Sequence, residues 1–187
     1  MSTAGTRTAR LGRFVITALA VLLAANLLWM WRSCEALSPI GPGKRAPDFK
    51  LTRLDGTEVR LADLRGKVVM LSFWATWCTP CVMEFPAIER LARRFADRGL
   101  VVLAVNLDET RRTIEQFKQA SRTDLDLVLD DGSTAGAYWV DTIPTLVVID
   151  HQGIVRAREQ GLADESRLAA RLDPILRAAS GARPWER

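Results

Sequence analysis

The sequence predicts an α/β protein with a layered, mixed sheet, preceded by an N-terminal transmembrane helix. Apolar runs typical of buried strands alternate with segments of helical periodicity, and two pairs of strands are joined by short turns, which together predict the sheet. Residues 14–31 are apolar except for Thr17 and Asn26, which predicts the membrane helix. The 187 residues are 48% hydrophobic and 26% charged, typical of one globular domain with a short additional segment.

The net charge of +4 comes from the N-terminal end of the chain. Arg7, Arg10, Arg13 and Arg32 stand among the first 34 residues without an acidic partner, whereas the other basic residues equal the 22 acidic ones in number. A nucleic-acid-binding protein needs a concentrated basic surface, and the body of this chain carries no excess of basic residues. We therefore expect no nucleic-acid partner.

Residues 14–31 are expected to anchor the chain in a membrane. As a helix these 18 residues span about 27 Å, at the short end of what crosses a hydrocarbon core of about 30 Å. Three arginines precede the run, so the positive-inside rule predicts that residues 1–13 form a cytoplasmic tail and that the rest is exported. The alternative is a cleaved signal peptide, but the run exceeds the usual length of about 7 to 15 residues and Trp31-Arg32-Ser33 is a poor cleavage site.

The exported part divides into a linker, a domain and a tail. Residues 32–45 contain several prolines and glycines without apolar periodicity and are predicted to be a linker. Cys34 follows bulky residues, which disfavours lipidation, and we interpret it as an incidental thiol. The domain is expected over residues 46–180, followed by a short tail at 181–187.

The domain begins with a predicted hairpin and a central strand. Residues 49–61 alternate apolar and polar side chains around Asp55-Gly56, a strong hairpin signal. Residues 67–74 form a nearly continuous apolar run, as expected for a buried strand. Residues 80–97 place apolar side chains at helical spacing, which predicts a helix directly after that strand.

The second half of the domain continues the alternation of strands and helices. Short apolar runs predict strands, amphipathic periodicity predicts helices, and His151-Gln152-Gly153 is typical of a tight turn between antiparallel strands. Trp139 is expected to pack in the core, and the alternative is that it lines the site. The remaining predicted elements are strands at 100–106 and 125–129, helices at 109–121 and 166–179, and a strand pair at 145–150 and 154–159.

A pair of cysteines follows the first central strand, at the start of the predicted helix. Cys78 and Cys81 are three residues apart, a spacing that can close a small disulfide ring. Unsatisfied N–H groups and the helix dipole stabilise a thiolate at a helix start, so Cys78 is predicted to be the attacking thiolate and Cys81 its more buried resolving partner. Pro80 suits the first turn, where its missing N–H costs nothing.

The cysteine pair has two alternative interpretations, half of a zinc site or a purely structural disulfide. A zinc site would need two further ligands, and only Cys34, at the far end of the linker, and His151, in a polar turn, are available among cysteines and histidines. A purely structural disulfide would not require Trp77 or a helix start beside it. The combination of strand, cysteine pair and helix therefore favours thiol–disulfide exchange, without a metal.

The segment FWATWCTPC, followed some sixty residues later by Thr142-Ile143-Pro144-Thr145, resembles the thioredoxin fold over about residues 43–178. This resemblance implies a thioredoxin-like three-layer α/β/α sandwich. It also implies a cis Ile143–Pro144 bond beside the disulfide, and no cofactor other than the redox-active Cys78–Cys81 pair. Substrate contacts are accordingly expected at Trp77, Thr79, Pro80, Ile143 and Pro144.

Three further segments resemble the membrane-anchored ResA, TlpA and CcmG proteins: Ala46 to Phe49, Asp63 to Lys67, and Glu84 to Pro86. Glu84 lies three residues beyond Cys81 and on the same helix face, so it is predicted to be a general base for the proton of Cys81. Solution thioredoxins carry an Asp six residues before the first cysteine, where this chain has Ser72. The alternative for Glu84 is a solvated side chain paired with an arginine.

The dipeptide between the cysteines is Thr79-Pro80 and lacks the His of strongly oxidising exchangers, which favours a reductant.

The resemblance implies a single-pass protein of the cytoplasmic (inner) membrane, with its domain in the periplasm or outer side and a DsbD/CcdA-type electron donor. It implies apocytochrome c as protein substrate, with the copper-site cysteines of cytochrome oxidase assembly as the alternative. A peroxidase and a non-catalytic copper-binding scaffold are the remaining classes. Thr142-Ile143-Pro144-Thr145 departs from the Gly-Ala-Pro-Glu of CcmG-like proteins, which favours the ResA/TlpA side.

Overall fold

A computed structural model describes residues 17–29 and 40–181, which belong to two separate compact units. Residues 17–29 form a helix, α1, with exposed side chains. Among the described residues, no helix combines the length and the apolar character needed to cross a bilayer. The remainder of the predicted anchor, residues 14–16 and 30–31, lies outside the described residues, as do the predicted N-terminal tail and most of the linker.

Seven strands form one mixed sheet in the order β2-β1-β5-β4-β3-β6-β7. The central pairs β3–β4 and β4–β5 are parallel, and all other neighbouring pairs are antiparallel. The predicted α/β fold with a mixed sheet is therefore confirmed. The strands are β1 (Lys50–Arg53), β2 (Glu58–Arg60), β3 (Val68–Trp74), β4 (Leu100–Leu107), β5 (Asp126–Asp130), β6 (Thr145–Ile149) and β7 (Val155–Gln160).

Four helices accompany the sheet in residues 40–181: α2 (Thr79–Phe95), α3 (Arg111–Ser121), α4 (Ser133–Ala137) and α5 (Glu165–Gly181). Two 3₁₀ turns, Leu61–Leu64 and Ala96–Arg98, add to them. The sequence analysis did not predict α4. Its five residues, Ser-Thr-Ala-Gly-Ala, are too few and too small to show an apolar periodicity.

Two apolar cores cover the two faces of the sheet, and all of their described members lie within residues 40–181. One core packs α2, α3 and α5 through Ile88, Ile114 and Leu172. The other packs Phe49 and Tyr138 beneath α4 and the first 3₁₀ turn. The helical layers are therefore unequal, with the three longer helices of this unit on a single face. β3 is buried along its whole length, because it contributes side chains to both cores.

Candidate active site

The cysteine pair forms a disulfide at the first turn of α2. Cys78 is the N-cap residue of the helix, and its Sγ accepts a hydrogen bond from the backbone N–H of Cys81 at 3.3 Å. Cys78 is 5% exposed and Cys81 1% exposed, whereas Thr79 and Pro80 between them are exposed. The predicted helix start and the deeper burial of Cys81 are thus both present. Each sulfur is bonded to the other, so in this form neither is free to bind a metal.

The segment before β6 lies at the same edge of the sheet as the disulfide. β3 and β6 are antiparallel with Phe73 opposite Thr145, so the loop that follows β3 meets the loop that precedes β6. The Ile143–Pro144 bond is cis, as the resemblance implied. Ile143 packs against the core that contains both cysteines, and the carbonyl of Pro144 accepts a hydrogen bond from the N–H of Gly161 at 2.8 Å.

Glu84 is buried, with 2% of its surface exposed, so the alternative of a solvated side chain is wrong. Neither carboxylate oxygen meets the geometry of a hydrogen bond with a described residue, although the N–H of Ala163 is near enough to lower the pKa. Burial outweighs that effect and, with a smaller contribution from the negative charge of Glu159, raises the pKa of Glu84 from 4.5 to about 7. A carboxyl group in this state can accept and release a proton near neutral pH.

Glu109 holds the turn before the cysteines, a contact that the sequence analysis missed. Its carboxylate accepts hydrogen bonds from the N–H of Thr76 at 2.7 Å, from the hydroxyl of Thr76 at 2.5 Å and from the side-chain amide of Asn106 at 2.7 Å. Trp74 and Asn106 are opposite each other on the parallel strands β3 and β4, so the polar residues after both strands meet at one edge. That pattern, an Asn near the end of a buried strand and a Glu just beyond it, is the signal that could have identified it.

Glu109→Ala is expected to lower the free energy of unfolding by about 2 kcal/mol, because it removes an acceptor that satisfies a backbone N–H and two side-chain donors. Urea unfolding of the oxidised protein measures the change. Glu115→Ala, which removes a carboxylate from α3, the helix that follows Glu109, is the matched control. Equal losses of stability in the two variants would contradict a specific role of Glu109 in holding Thr76.

Four large apolar side chains are exposed within residues 40–181: Trp77 (72%), Met83 (67%), Leu162 (60%) and Trp139 (43%). Each is within five residues, along the chain, of a cysteine, Pro144 or Gly161, the residue hydrogen-bonded to Pro144. On the basis of this proximity along the chain, we call them the exposed apolar set of the candidate site.

Trp139 was expected in the core, and this prediction is wrong. Its backbone is left-handed, with φ +54°. The two terminal guanidinium nitrogens of Arg158 donate to the carbonyls of Tyr138 and Trp139, each at 2.7 Å. A left-handed conformation is uncommon for a bulky residue. These backbone contacts stabilise an arrangement that leaves the indole ring partly in solvent, a feature that depends on β7 and that local periodicity does not indicate.

Comparison with known proteins gives one family match and several close relatives. The model of the AhpC/TSA family matches residues 42–158, a span that includes both cysteines and Pro144. The chain is 36% identical over 137 residues to the thiol-disulfide oxidoreductase ResA of Geobacillus thermodenitrificans (strain NG80-2), covering 73% of this chain and 79% of that protein. It is also 36% identical over 137 residues to the thioredoxin-like protein YneN of Bacillus subtilis (strain 168), covering 72% and 80%.

Solved structures show the same similarity in three dimensions. A candidate thiol:disulfide interchange protein DsbE from Chlorobium tepidum superposes with a TM-score of 0.69 at 33% sequence identity. The match covers 73% of this chain and 99% of that one. A candidate protein disulfide isomerase from Bacteroides thetaiotaomicron gives a TM-score of 0.67 at 29% identity, covering 75% and 95%.

Proposed function

We propose, since this chain belongs to the AhpC/TSA family and is a thioredoxin-like thiol-disulfide oxidoreductase of the ResA/DsbE type, that it works as a reductant of protein disulfides. The observation that carries this proposal is a Cys78–Cys81 disulfide at a helix start without an imidazole beside it. His151, the one histidine of the chain, lies in the turn after β6, at the opposite end of that strand from Pro144. An imidazolium next to the thiolate would stabilise the reduced form and make the protein an oxidant, and this site has none to offer.

In the proposed cycle, the reduced protein carries two thiol groups. The Cys78 thiolate attacks one sulfur of the substrate disulfide and forms a mixed disulfide, releasing the other substrate sulfur as a thiolate. Glu84 then accepts the proton of the Cys81 thiol. The Cys81 thiolate attacks the Sγ of Cys78, which releases the second substrate sulfur. Two electrons pass to the substrate, and the protein is left with the Cys78–Cys81 disulfide seen here. This chemistry uses no cofactor and no metal.

The proposed substrates are exported proteins with accessible cysteine pairs. The exposed apolar set offers a surface for an unfolded or extended segment, and the exposed Trp77, Thr79 and Pro80 with Ile143 and Pro144 are its proposed contacts next to the disulfide. The cysteines of apocytochrome c, which must be reduced before haem attachment, are the proposed target. The copper-site cysteines of cytochrome oxidase assembly are the alternative, and reduction of each purified protein distinguishes the two.

We further propose that the protein is tethered to the cytoplasmic membrane with its domain on the outer side. The apolar run at 14–31 and the three arginines before it support this orientation. An exported reductant must be reduced again in an oxidising compartment, so the proposal includes a membrane thiol transporter of the DsbD/CcdA type as electron donor. Protease should digest residues 40–181 once the outer layers of the cell are opened and the cytoplasmic membrane is still intact. Protection of these residues under that condition would contradict this location.

The redox midpoint of the domain from Ile40 onward tests the direction of electron flow. We expect a midpoint below about −230 mV in equilibrium with glutathione, nearer to thioredoxin than to DsbA. Trp74 has its ring centroid 4.8 Å from that of Phe85 in α2 and Trp77 precedes Cys78, so tryptophan fluorescence should report the opening of the disulfide. A midpoint above about −180 mV would identify an oxidant or isomerase and contradict the proposal.

A further inference from the structure

Glu159 is a second acidic residue on the face of the sheet that packs against α2 and α5. It lies on β7, two residues after Ala157, and Ala157 belongs to the core that contains both cysteines. Alternate residues of a strand point to the same face, so Glu159 also faces the helices. Its side chain is only 12% exposed, and its neighbour across the strands is Leu146, two residues after Pro144.

Two arginines of α5 lie against this carboxylate. The Nε of Arg171 is 2.9 Å from Oε1 of Glu159, and the Nε of Arg167, one turn earlier, is 4.0 Å from the same oxygen. Both arginines are largely solvent-exposed, at 40% and 66%, although Leu168 and Leu172 beside them are buried. Glu159 is therefore a mostly buried carboxylate that faces two arginines of α5.

Glu84 faces the same region from α2. Two groups act on it directly: the Glu159 carboxylate from β7 and the Ala163 N–H from the connection between β7 and α5. The two arginines of α5 lie against Glu159. The negative charge of Glu159 raises the pKa of Glu84, in the same direction as the larger effect of burial. The positive charge of Arg171, which lies beside Glu159, must partly cancel the effect of Glu159 on the pKa of Glu84, because the two charges are opposite in sign and next to each other.

We propose that Glu159 and Arg171 are positioning residues for thiol exchange, which set the proton occupancy of Glu84 through opposing charges. This inference rests on the proposed role of Glu84 as the base for Cys81. Neither residue touches the reacting sulfurs. Their effect is to place the protonation change of Glu84 at a pH where it can both accept the proton of Cys81 and lose it again. Removing either charge displaces that pH in a direction fixed by the sign of the charge.

The test is an NMR titration of the Glu84 side-chain carboxyl in the domain from Ile40, a compact unit that holds all the described members of both cores. Glu159→Gln should lower the titration midpoint by about half a pH unit or more, a roughly threefold change in the ratio of ionised to protonated Glu84. Arg171→Met, which leaves Glu159 with only the more distant Arg167, should raise the midpoint, and Arg171→Lys should restore it. Glu165→Gln removes a carboxylate from α5 that pairs with Arg90 at the surface, and is the matched control.

An unchanged midpoint in Glu159→Gln, or a shift equal to that of the control, would overturn the inference. A lowered midpoint in Arg171→Met would overturn the part assigned to Arg171. The rate of mixed-disulfide resolution, measured on the same variants, separates this inference from the proposed function. If the Glu84 midpoint moves in the expected directions while the pH dependence of resolution stays fixed, the electrostatic pair is established and the role of Glu84 as the base is wrong.

Discussion

Cys78→Ser is expected to abolish disulfide reduction, with a loss on the order of a thousandfold or more in the rate of insulin reduction. Cys78 is the cysteine at the N-cap of α2 and the less buried of the two, so it is the sulfur that a substrate disulfide can reach. A serine hydroxyl at the same position is not ionised near neutral pH and cannot replace the thiolate. The variant should fold, because one oxygen replaces one sulfur at a helix cap that serine favours.

Cys81→Ser separates the two steps of the cycle. The Cys78 thiolate still attacks, but no second thiol is present to resolve the mixed disulfide, which should accumulate and be detectable by mass spectrometry under non-reducing conditions. Cys34→Ser is the matched control for removal of a cysteine and should reduce insulin at the unmodified rate. Inactivity of the unmodified protein towards every disulfide tested would favour a non-catalytic scaffold over a reductase. Full activity of Cys78→Ser would contradict the assignment of Cys78 as the nucleophile.

Glu84→Gln is expected to slow the resolution of the mixed disulfide roughly a hundredfold at pH 7, the usual size of a general-base contribution. The amide keeps the shape of the side chain but cannot accept the proton of Cys81. In the unmodified protein the resolution rate should rise with pH as Glu84 ionises, around its pKa of about 7, and in the variant this rise should be absent. Stopped-flow tryptophan fluorescence between about pH 6 and 9 measures both effects, and superimposable profiles would contradict the role of Glu84.

The same substitution should make the protein more stable at alkaline pH. Burial raises the pKa of Glu84 from 4.5 to about 7, so the folded protein binds this proton more tightly than the unfolded chain. The stabilising contribution is fully present below pH 4.5 and is lost as the pH rises through about 7. Glu84→Gln removes this dependence and is expected to raise the free energy of unfolding at pH 8 by on the order of 2 kcal/mol. Urea unfolding at pH 5 and pH 8 tests the sign, and a variant that is less stable at pH 8 would contradict it.

A gain in stability together with a loss in rate would identify Glu84 as a residue kept for chemistry. A buried, unpaired carboxylate is costly, and a glutamine of the same shape carries no charge to desolvate. Ser72, by contrast, is buried in β3 at the position where solution thioredoxins carry their acidic residue, and it cannot serve as a base near neutral pH.

Local sequence patterns were enough to predict the strands, the longer helices of the domain, the mixed character of the sheet and the position of the cysteine pair. These features depend on local periodicity, on turn residues such as Asp55-Gly56 and on the order in which apolar runs occur along the chain. The start of α2 at Thr79 with Cys78 as its cap is of the same kind, because capping involves residues three positions apart.

Which charged side chains are buried, and which groups face them, depends on tertiary packing. Glu84 is enclosed by the segment after β7, Glu109 reaches back to Thr76, and Glu159 lies between the sheet and Arg171 of α5. These partners are between 12 and 79 residues apart along the chain, so no local pattern relates them. The free energy of ionising a carboxyl group depends on the solvent and the charges around it, which packing alone fixes. The sequence therefore identifies the nucleophile, whereas the fold sets the ionisation of the carboxyl groups around it.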